Sequence, residues 1–331
     1  MSVVFTLGPA TESLQLITTL YQKADRFRLN VSHLTLMELE IWLHKLSQLY
    51  KQQGHSLPVI LDLQGAKMRI GKFPACTLYA HKVTLFLGQQ SDSSKHIPVP
   101  YASFFEVLEP EDIISLNDAK VKLEIIKVDK DHAEAKVLIN GPLDSFKGIN
   151  RAIHPIPFTQ VFEKDEQIIT VGLRYTFTQF AYSFILDGKE AACLRPLIAN
   201  KHLIAKIERP EAMAYLTTIA KYFDELWFCR GDMGSQVGLN QLGRIQETFI
   251  QDANRLKKPK FLAGQVFEHM THFPEPTRSE VVHLYDVIKA GFDGIVLSDE
   301  TAIGAYPIQA SEVTKNLVTY FKNQTLDKLG N

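Results

Sequence analysis

Short runs of β-branched and other apolar residues alternate along this chain with longer segments in which apolar residues recur every three or four positions. The longer segments predict helices, for example over Leu36–Leu49 and Leu242–Leu256. Strand–helix alternation is typical of a parallel sheet, and eight repeats close a (β/α)8 barrel. The pattern therefore predicts an α/β protein of the TIM barrel class. Eight runs are predicted to be its strands: Val3–Thr6, Phe27–Val31, Pro58–Leu63, Ala181–Leu186, Leu203–Ile207, Leu226–Arg230, Lys260–Ala263 and Gly294–Leu297.

One region has a different period. From about Phe73 to Phe158 apolar and polar residues alternate singly, as in "KVTLFLG", "VKLEIIKV" and "HAEAKVLING". We therefore predict a small all-β domain inserted after the third barrel strand. The predicted division is residues 1–72 for the first part of the barrel, 73–157 for the insert and 158–331 for the second part. Such an insert can act as a lid or as a spacer, and the pattern leaves both open.

The composition is that of an ordinary globular protein. The 331 residues are 45% hydrophobic and 22% charged, with a formal net charge of −1. A near-neutral balance argues against nucleic acid as a partner, and no apolar stretch has the roughly 18 residues of a membrane span. No signal peptide is visible, and Cys76, Cys193 and Cys229 form no CxxC pair, which predicts reduced thiols in a cytoplasm.

Charged residues and glycines collect where the predicted strands end. The third strand runs into "ILDLQGAKMRIG", with Asp62 at its end and two cations beyond. The fifth gives "AKIERPE", in which Lys206 and Glu208 are two apart and so share one face of an extended chain. The sixth gives "CRGDMG", which holds Asp232. Catalytic groups of a barrel come from these carboxyl ends of its strands.

Lys206, Glu208 and Asp232 together favour phosphoryl chemistry. Two carboxylates from neighbouring strands can hold Mg²⁺ or Mn²⁺, with substrate oxygens completing the shell. A lysine beside them can neutralise a transferring phosphoryl group, and the glycines of "RGDMG" can expose N–H groups at a helix N-terminus. The residues alone leave another reading open, in which Lys206 and Glu208 are a surface ion pair and Asp232 is a helix cap. Thr277 and Glu280 have the spacing of a capping box.

Eight further segments mark the chain: "TLGPATES", "RLNVSH", "LDLQGAKMRIG", "FEKDEQ", "AKIERPEA", "CRGDMG", "PTRSEV" and "LSDETAIGAYP". They occur in the order in which the pyruvate kinase family has them, and "FKGIN" within the insert is similar to that family's nucleotide-side lysine segment. The chain therefore resembles pyruvate kinases over nearly its whole length. The resemblance implies a barrel with a β lid over phosphoenolpyruvate, a divalent metal ion and ADP, and a phosphoryl transfer that gives pyruvate and ATP.

The resemblance also implies roles for single residues. Lys206 corresponds to the lysine that stabilises phosphoryl transfer, and Arg28 to the arginine that contacts the phosphate. Glu208 and Asp232 correspond to the metal-binding carboxylates. The amides of Gly231 and Asp232 would hold the substrate carboxylate. The expected nucleotide and phosphate side consists of Asn30, His33, Arg69 and Lys147.

A further implication concerns potassium. Ser32 and Asp62 occupy positions that in many relatives help to hold a monovalent cation. Potassium-dependent relatives have a glutamate at the position of Lys67. A second branch of the family has a lysine there, as this chain does, and that lysine is thought to replace the bound potassium. We therefore expect that K⁺ is not required.

Several positions depart from the family pattern. Gly264 replaces a threonine beside the substrate carboxylate, Asp299 replaces a glycine, and Asn117-Asp118-Ala119 replaces a turn with two acids and a glycine. The chain stops near the end of the eighth unit, so the family's C-terminal regulatory domain and its allosteric control are expected to be absent. A homodimer is expected, since helices near "PTRSEV" form a dimer contact in relatives.

These departures keep two other functions open. One is a metal-dependent lyase that acts on the enolate of pyruvate or oxaloacetate, with Gly264 leaving room for a different substrate. The other is a non-catalytic paralogue that binds a ligand or a protein partner.

Overall fold

A computed structural model describes residues 1–79, 81–117, 119–151 and 161–327, with side chains to residue 324. The chain packs as two compact units. The first comprises residues 1–65, 160–233 and 241–331, and the second comprises residues 66–159 and 234–240. The domain boundaries at 72/73 and 157/158 stay a prediction, and the second of them lies outside the described residues.

The first unit begins with two strand–helix repeats and a third strand. These are β1 (Ser2–Leu7), α1 (Leu14–Tyr21), β2 (Arg26–Asn30), α2 (Leu36–Gln53) and β3 (Val59–Leu63). A capping box starts α2, because the Thr35 hydroxyl accepts from the Glu38 amide and the Glu38 carboxylate accepts from the Thr35 amide. The helix stops at Gly54, which has a left-handed φ of 72°.

The second unit is mainly antiparallel sheet. Alternation explains its core, since Val121, Leu123 and Ile125 all point inward from one strand. The expectation of an all-β insert is wrong in one detail, because the unit contains a short helix whose Phe104 and Phe105 are buried in the core. The elements are β4 (Cys76–Leu78), β5 (Lys82–Leu87), β6 (His96–Val99), α3 (Ala102–Glu106), β7 (Ile113–Leu116), β8 (Val121–Val128), β9 (His132–Ile139), β10 (Gly141–Leu143) and β11 (Ile149–Arg151). The order β11-β7-β8-β9-β5-β6 forms one sheet, and β10 pairs with β4.

The remaining elements return to strand–helix alternation. They are α4 (Glu163–Gly172), β12 (Thr178–Tyr182), α5 (Glu190–Ile198), β13 (Leu203–Ile207), α6 (Leu216–Tyr222), β14 (Glu225–Cys229), α7 (Arg230–Val237), α8 (Leu239–Leu256), β15 (Lys260–Ala263), α9 (Arg278–Lys289), β16 (Gly294–Leu297), α10 (Asp299–Ala302) and α11 (Pro307–Asp327). Short 3₁₀ helices cover Pro9–Thr11, Val31–His33, Pro210–Tyr215 and Glu268–Thr271. The predicted capping box of Thr277 and Glu280 is confirmed at the start of α9.

Eight parallel strands close into a barrel in the order β1-β16-β15-β14-β13-β12-β3-β2, which confirms the predicted fold class. Side chains including Ile60, Ile204, Trp227 and Phe261 fill its interior. No helix in the described part of the chain combines the length and apolarity needed to cross a membrane.

The fourth barrel strand lies earlier in the chain than predicted. It covers Thr178–Tyr182 rather than Ala181–Leu186. Its ladder with β3 and β13 ends at Tyr182, and Phe184 then takes a left-handed φ of 60° that no strand can continue. The apolar run beyond Tyr182 therefore belongs to the loop at the barrel rim.

Candidate active site

Asp62 lies at the centre of a cluster of charged side chains at the carboxyl ends of the barrel strands. It is fully buried on β3. The Arg28 guanidinium on β2 donates to its Oδ2 through Nε at 2.8 Å and Nη2 at 2.5 Å. The Lys206 Nζ on β13 lies 3.1 Å from its Oδ1. The Asp62 carboxylate thus connects β3 to side chains of β2 and β13.

Lys206 links Asp62 to a second carboxylate. Its Nζ lies 3.0 Å from Oε1 of Glu208 and donates to the Ser183 hydroxyl at 2.9 Å. The other oxygen of Glu208 accepts from the Phe184 amide at 2.8 Å. All of these groups are buried, so the reading of Lys206 and Glu208 as a surface ion pair is wrong. Ser183 is a member of the cluster that the sequence did not point to, because it was assigned to the interior of a strand.

Three groups of the cluster, Asp62, Lys206 and Arg28, keep their charges although they are buried. Burial alone would raise the pKa of Asp62, but Lys206 and Arg28 outweigh it and hold that pKa below its usual value. Burial alone would lower the pKa of Lys206, but Asp62 and Glu208 outweigh it and raise that pKa. Burial alone would lower the pKa of Arg28, but Asp62 outweighs it in the same way and raises that pKa. Charged N–H donors therefore lie at the barrel rim, and such donors suit an anionic ligand.

Asp232 follows the next barrel strand, β14. β14 ends at Cys229, and α7 begins at Arg230, so Gly231 and Asp232 lie in its first turn as predicted. Burial raises the pKa of the Cys229 thiol well above its usual value, and Glu208 adds to this, as do Asp62 and Asp232 more weakly. The thiol thus lies within the electrostatic reach of all three carboxylates. The N–H groups of the first turn of α7 form a positive helix end beside them.

Gly264 borders that helix end. A Cβ built on Gly264 would lie 3.6 Å from the Gly231 nitrogen and 3.9 Å from the Arg230 nitrogen, in ordinary contact and without a clash. The φ of Gly264 is +84°, which residues with a side chain rarely adopt. A threonine at this position would need a different backbone. The glycine is therefore set by the backbone and not by lack of space.

The donor set fits a divalent metal ion that uses ligands from outside the protein as well. Among the described residues no group of three or more His, Cys, Asp or Glu side chains is arranged to hold a metal. Glu208 and Asp232 offer hard carboxylate oxygens, and Asp232 lies in the first turn of α7. Mg²⁺ is commonly bound in this way, by one or two carboxylates together with water and substrate oxygens.

The predicted nucleotide residues divide between the two units. In the first unit, Asn30 ends β2 opposite Asp62, and His33 ends the 3₁₀ helix that follows. In the second, Arg69 Nη1 donates to the Phe146 carbonyl at 2.9 Å, and the Lys147 carbonyl accepts from the Ile70 amide at 2.9 Å. Asn30 and His33 thus lie on one segment of the first unit, and Arg69 and Lys147 lie on two paired segments of the second. A common nucleotide site for all four residues stays a prediction.

The residues of the predicted potassium region also divide between the two units. In the first unit the Ser32 carbonyl accepts from Lys164 Nζ at 2.9 Å, and Asp62 is paired as described above. In the second unit Lys67 is buried against Gly148, where an added Cβ would lie 3.0 Å from Lys67 Cε. The replacement of potassium by Lys67 stays a prediction.

Two of the departures from the family pattern can be located. Asp299 is exposed at the first position of α10, where a carboxylate is favoured by the helix end. Asn117 has a φ of 50°, and its amide nitrogen donates to the Pro142 carbonyl at 2.8 Å. Asp118 lies outside the described residues.

Asp165 is a second buried group that the sequence did not point to. It is fully buried on α4, and its two oxygens accept from the amides of Gln64 and Gly65 at 3.1 and 2.8 Å. Gly65 has a φ of +61°, and a Cβ there would lie 2.3 Å from the Ser183 carbonyl oxygen. Asp165 therefore fastens the turn that follows Asp62 against the residue that supports Lys206.

We expect this carboxyl to make stability depend on pH. Burial raises the pKa of Asp165 from 3.8 to about 6, although the amides of Gly65 and Gln64 oppose it. Between these values the folded protein binds more protons than the unfolded chain, so the free energy of unfolding falls as pH rises from about 4 to 6. The contribution is on the order of 2–3 kcal/mol. Urea unfolding at several pH values measures it, and Asp165→Asn should flatten the slope; an equal slope in both proteins would contradict the assignment.

Comparisons with known proteins agree with this fold. The family model described as "Pyruvate kinase, barrel domain" matches residues 1–311. A pyruvate kinase of Methylorubrum extorquens is 29% identical over 313 residues, which cover 93% of this chain and 66% of the relative. One of Buchnera aphidicola subsp. Baizongia pistaciae is 30% identical over 325 residues, which cover 94% of this chain and 68% of the relative. The chain thus spans about two thirds of the length of these relatives. A solved pyruvate kinase structure from Cryptosporidium parvum has the same fold, with a TM-score of 0.85 and 23% identity over 97% of this chain and 69% of that one.

Proposed function

Because the chain belongs to the pyruvate kinase barrel-domain family, we propose that it transfers a phosphoryl group from phosphoenolpyruvate to ADP and so forms pyruvate and ATP. An oxygen of the ADP β-phosphate forms the new bond to phosphorus, and the bond from phosphorus to the enol oxygen breaks. The electron pair stays on the enolate oxygen, and the enolate takes up one proton at carbon. The observation that carries the proposal is the buried cluster of Arg28, Asp62, Lys206 and Glu208 at the barrel rim.

Lys206 and Arg28 are the proposed catalytic residues. Phosphoryl transfer is catalysed mainly by positioning and by charge stabilisation of the transferring group. Lys206 acts as a fixed cation, because Asp62 and Glu208 raise its pKa and it does not release its proton. Since Gly264 has no hydroxyl, the proton for the enolate carbon comes from water. The amides of Gly231 and Asp232 at the start of α7 hold the substrate carboxylate.

Glu208 and Asp232 are the proposed ligands of Mg²⁺ or Mn²⁺. When bound, such an ion neutralises the negative charge that develops on the phosphoryl and enolate oxygens. The protein itself supplies two hard oxygen donors, a lysine that stays charged and a helix end that favours anions. Nucleotide contacts from Asn30, His33, Arg69 and Lys147 belong to the proposal as well.

The test is pyruvate and ATP formation by the complete chain from phosphoenolpyruvate and ADP. We expect turnover with Mg²⁺ or Mn²⁺, loss of turnover when a chelator removes the metal, and recovery when the metal is restored. Glu208→Gln should lower kcat/KM by about 10²-fold or more, since one charged ligand is lost. Glu247→Gln, at an exposed position of α8, is the matched control and should leave the rate unchanged. Metal-independent turnover would contradict the proposed ligands.

We also propose that the enzyme does not need potassium, since Lys67 would supply the positive charge that a bound ion supplies in relatives. Rates in KCl and in tetramethylammonium chloride at equal ionic strength should agree within about twofold. In Lys67→Glu, K⁺ should then activate. Activation of the unaltered protein by K⁺ over the tetramethylammonium control would contradict this prediction.

A second candidate is a lyase that acts on the enolate of a 2-oxo acid with the same metal and lysine. It is favoured by Gly264, which offers neither a hydroxyl nor a side chain beside the carboxylate-binding amides. Turnover of oxaloacetate without ADP would support it. A protein that binds metal but turns over neither substrate would instead be a non-catalytic paralogue. A cytoplasmic location and a homodimer complete the proposal, and light scattering on the purified protein tests the dimer.

A further inference from the structure

Arg230 makes more hydrogen bonds than any role proposed so far explains. It is the first residue of α7, directly before Gly231. Its Nε and Nη2 donate to the Gly264 carbonyl at 3.0 and 2.8 Å, and Nη2 also donates to the Gln265 carbonyl. Its Nη1 lies 2.6 Å from Nε2 of His283 on α9. One guanidinium therefore joins the start of α7, the loop after β15 and α9, all within the first unit.

The loop that Arg230 holds has a costly backbone. Gly264 and Gln265 are consecutive residues with positive φ, at +84° and +56°. Gln265 has a side chain, and a left-handed conformation of such a residue is strained. This conformation turns both carbonyls toward the same guanidinium. Strain of this kind persists only where surrounding contacts fix it, and Arg230 supplies three of those contacts.

The bond between Arg230 and His283 also constrains the imidazole ring. Because an arginine has no acceptor atom, the bond to His283 needs an unprotonated Nε2, and so a neutral imidazole with its proton on Nδ1. Burial and the charge of Arg230 lower the pKa of His283, which favours that neutral form.

We propose that Arg230 is a positioning residue that fixes the Gly264–Gln265 loop against the amides at the start of α7, with His283 orienting the guanidinium. A Cβ at Gly264 would lie only 3.6 Å from the Gly231 nitrogen, so the loop forms one wall of the place where an anion meets those amides. Glycine at 264 allows the carbonyl to reach Arg230. We call the contacts of Arg230 with the Gly264 and Gln265 carbonyls the clamp. The clamp therefore shapes the part of the site that binds the substrate carboxylate, although residue 264 has no side chain. This inference rests on the proposed function, which brings the substrate carboxylate to these amides.

Kinetic constants for both substrates test the role. Arg230→Met should raise KM for phosphoenolpyruvate about tenfold, leave KM for ADP within twofold, and lower kcat by less than about threefold, because the lost contact serves substrate binding. Arg230→Lys should resemble it, since one ammonium cannot meet acceptors on two elements in that geometry. His283→Gln keeps an acceptor and should stay near the unaltered protein, whereas His283→Leu should shift toward Arg230→Met. Arg255→Met, at an exposed arginine of α8, is the matched control.

A general loss of structure would raise both KM values or lower kcat alone, and either result would overturn the positioning role. Amide hydrogen exchange provides a readout that needs no activity. The amides of residues 264–267 should exchange at least about tenfold faster in Arg230→Met than in the unaltered protein or in Arg255→Met. Unchanged exchange would overturn the clamp.

If the unaltered protein has no kinase activity, the proposed function fails separately from the clamp. Oxalate, a planar dianion shaped like the pyruvate enolate, is then the probe, titrated with Mg²⁺ by calorimetry. Binding about tenfold weaker in Arg230→Met than in Arg255→Met would support the positioning role, and equal binding would overturn it.

Discussion

Lys206→Met is expected to lower kcat for pyruvate formation by about 10³-fold or more. Lys206 is the buried cation between Asp62 and Glu208, and its Nζ lies 3.1 Å from Oδ1 of Asp62 and 3.0 Å from Oε1 of Glu208. A charged donor that stabilises a transferring phosphoryl group contributes about 10³–10⁵ in rate. KM for phosphoenolpyruvate should change much less, since Arg28 and the α7 amides remain. A coupled assay of pyruvate formation over several hours measures the residual rate.

Two further variants make that result specific. Lys206→Arg keeps the charge with a different donor geometry and should retain more activity than Lys206→Met. Lys221→Met replaces an exposed lysine of α6 and should leave the rate unchanged. Lys206→Met must also be folded, and cooperative unfolding followed by circular dichroism checks this. Activity of Lys206→Met within tenfold of the unaltered protein would contradict the catalytic role.

Glu225→Ala is expected to have the largest effect on stability. Glu225 is buried at the first position of β14, at the barrel end opposite to the candidate site. Its carboxylate accepts from Arg26 Nη1 at 2.9 Å and from Trp227 Nε1 at 2.5 Å, and it lies 3.3 Å from His202 Nε2. Burial would raise the pKa of Glu225, but His202 and Arg26 outweigh it and lower that pKa.

Removing this carboxylate leaves the Arg26 charge and the Trp227 N–H without their partner. The free energy of unfolding should fall by about 3–5 kcal/mol, as it does when one member of a buried ion pair is lost. Urea unfolding measures the loss. Glu40→Ala breaks an exposed ion pair with Arg174 and is the matched control, with an expected loss below about 1 kcal/mol. Activity measured well below the unfolding midpoint should be unchanged, since the site lies at the other rim; a loss below 1 kcal/mol in Glu225→Ala would contradict the prediction.

The barrel could be predicted because its signal is local. Apolar strands such as Leu203–Ile207 and Lys260–Ala263 are bounded by polar residues, and their predicted limits agree with the structure. The fourth strand was misplaced because the apolar residues after Tyr182 continue the pattern while the backbone turns at Phe184. A hydrophobic pattern reports burial, and a buried loop residue gives the same signal as a strand residue.

The contacts within the candidate site were only partly accessible from the sequence. Strand-end position predicted Asp62, Lys206 and Glu208, because strand ends share one rim. The pairing of Arg28 with Asp62 joins positions 34 residues apart on two strands, and no local pattern reports it. The Arg230 network depends on the left-handed conformation of Gln265, for which glutamine gives no signal.

The arrangement of Arg28, Asp62, Lys206 and Glu208 has a consequence for how a substrate arrives. Two positive and two negative charges that lie within hydrogen-bond distance of one another cancel at long range. This cluster therefore contributes little field to the steering of a distant anionic ligand, and salt has little to screen in it. At contact, the ligand competes with Asp62 and Glu208 for the same N–H donors. The cluster then selects its ligand inside the rim, in the exchange of one anionic partner for another.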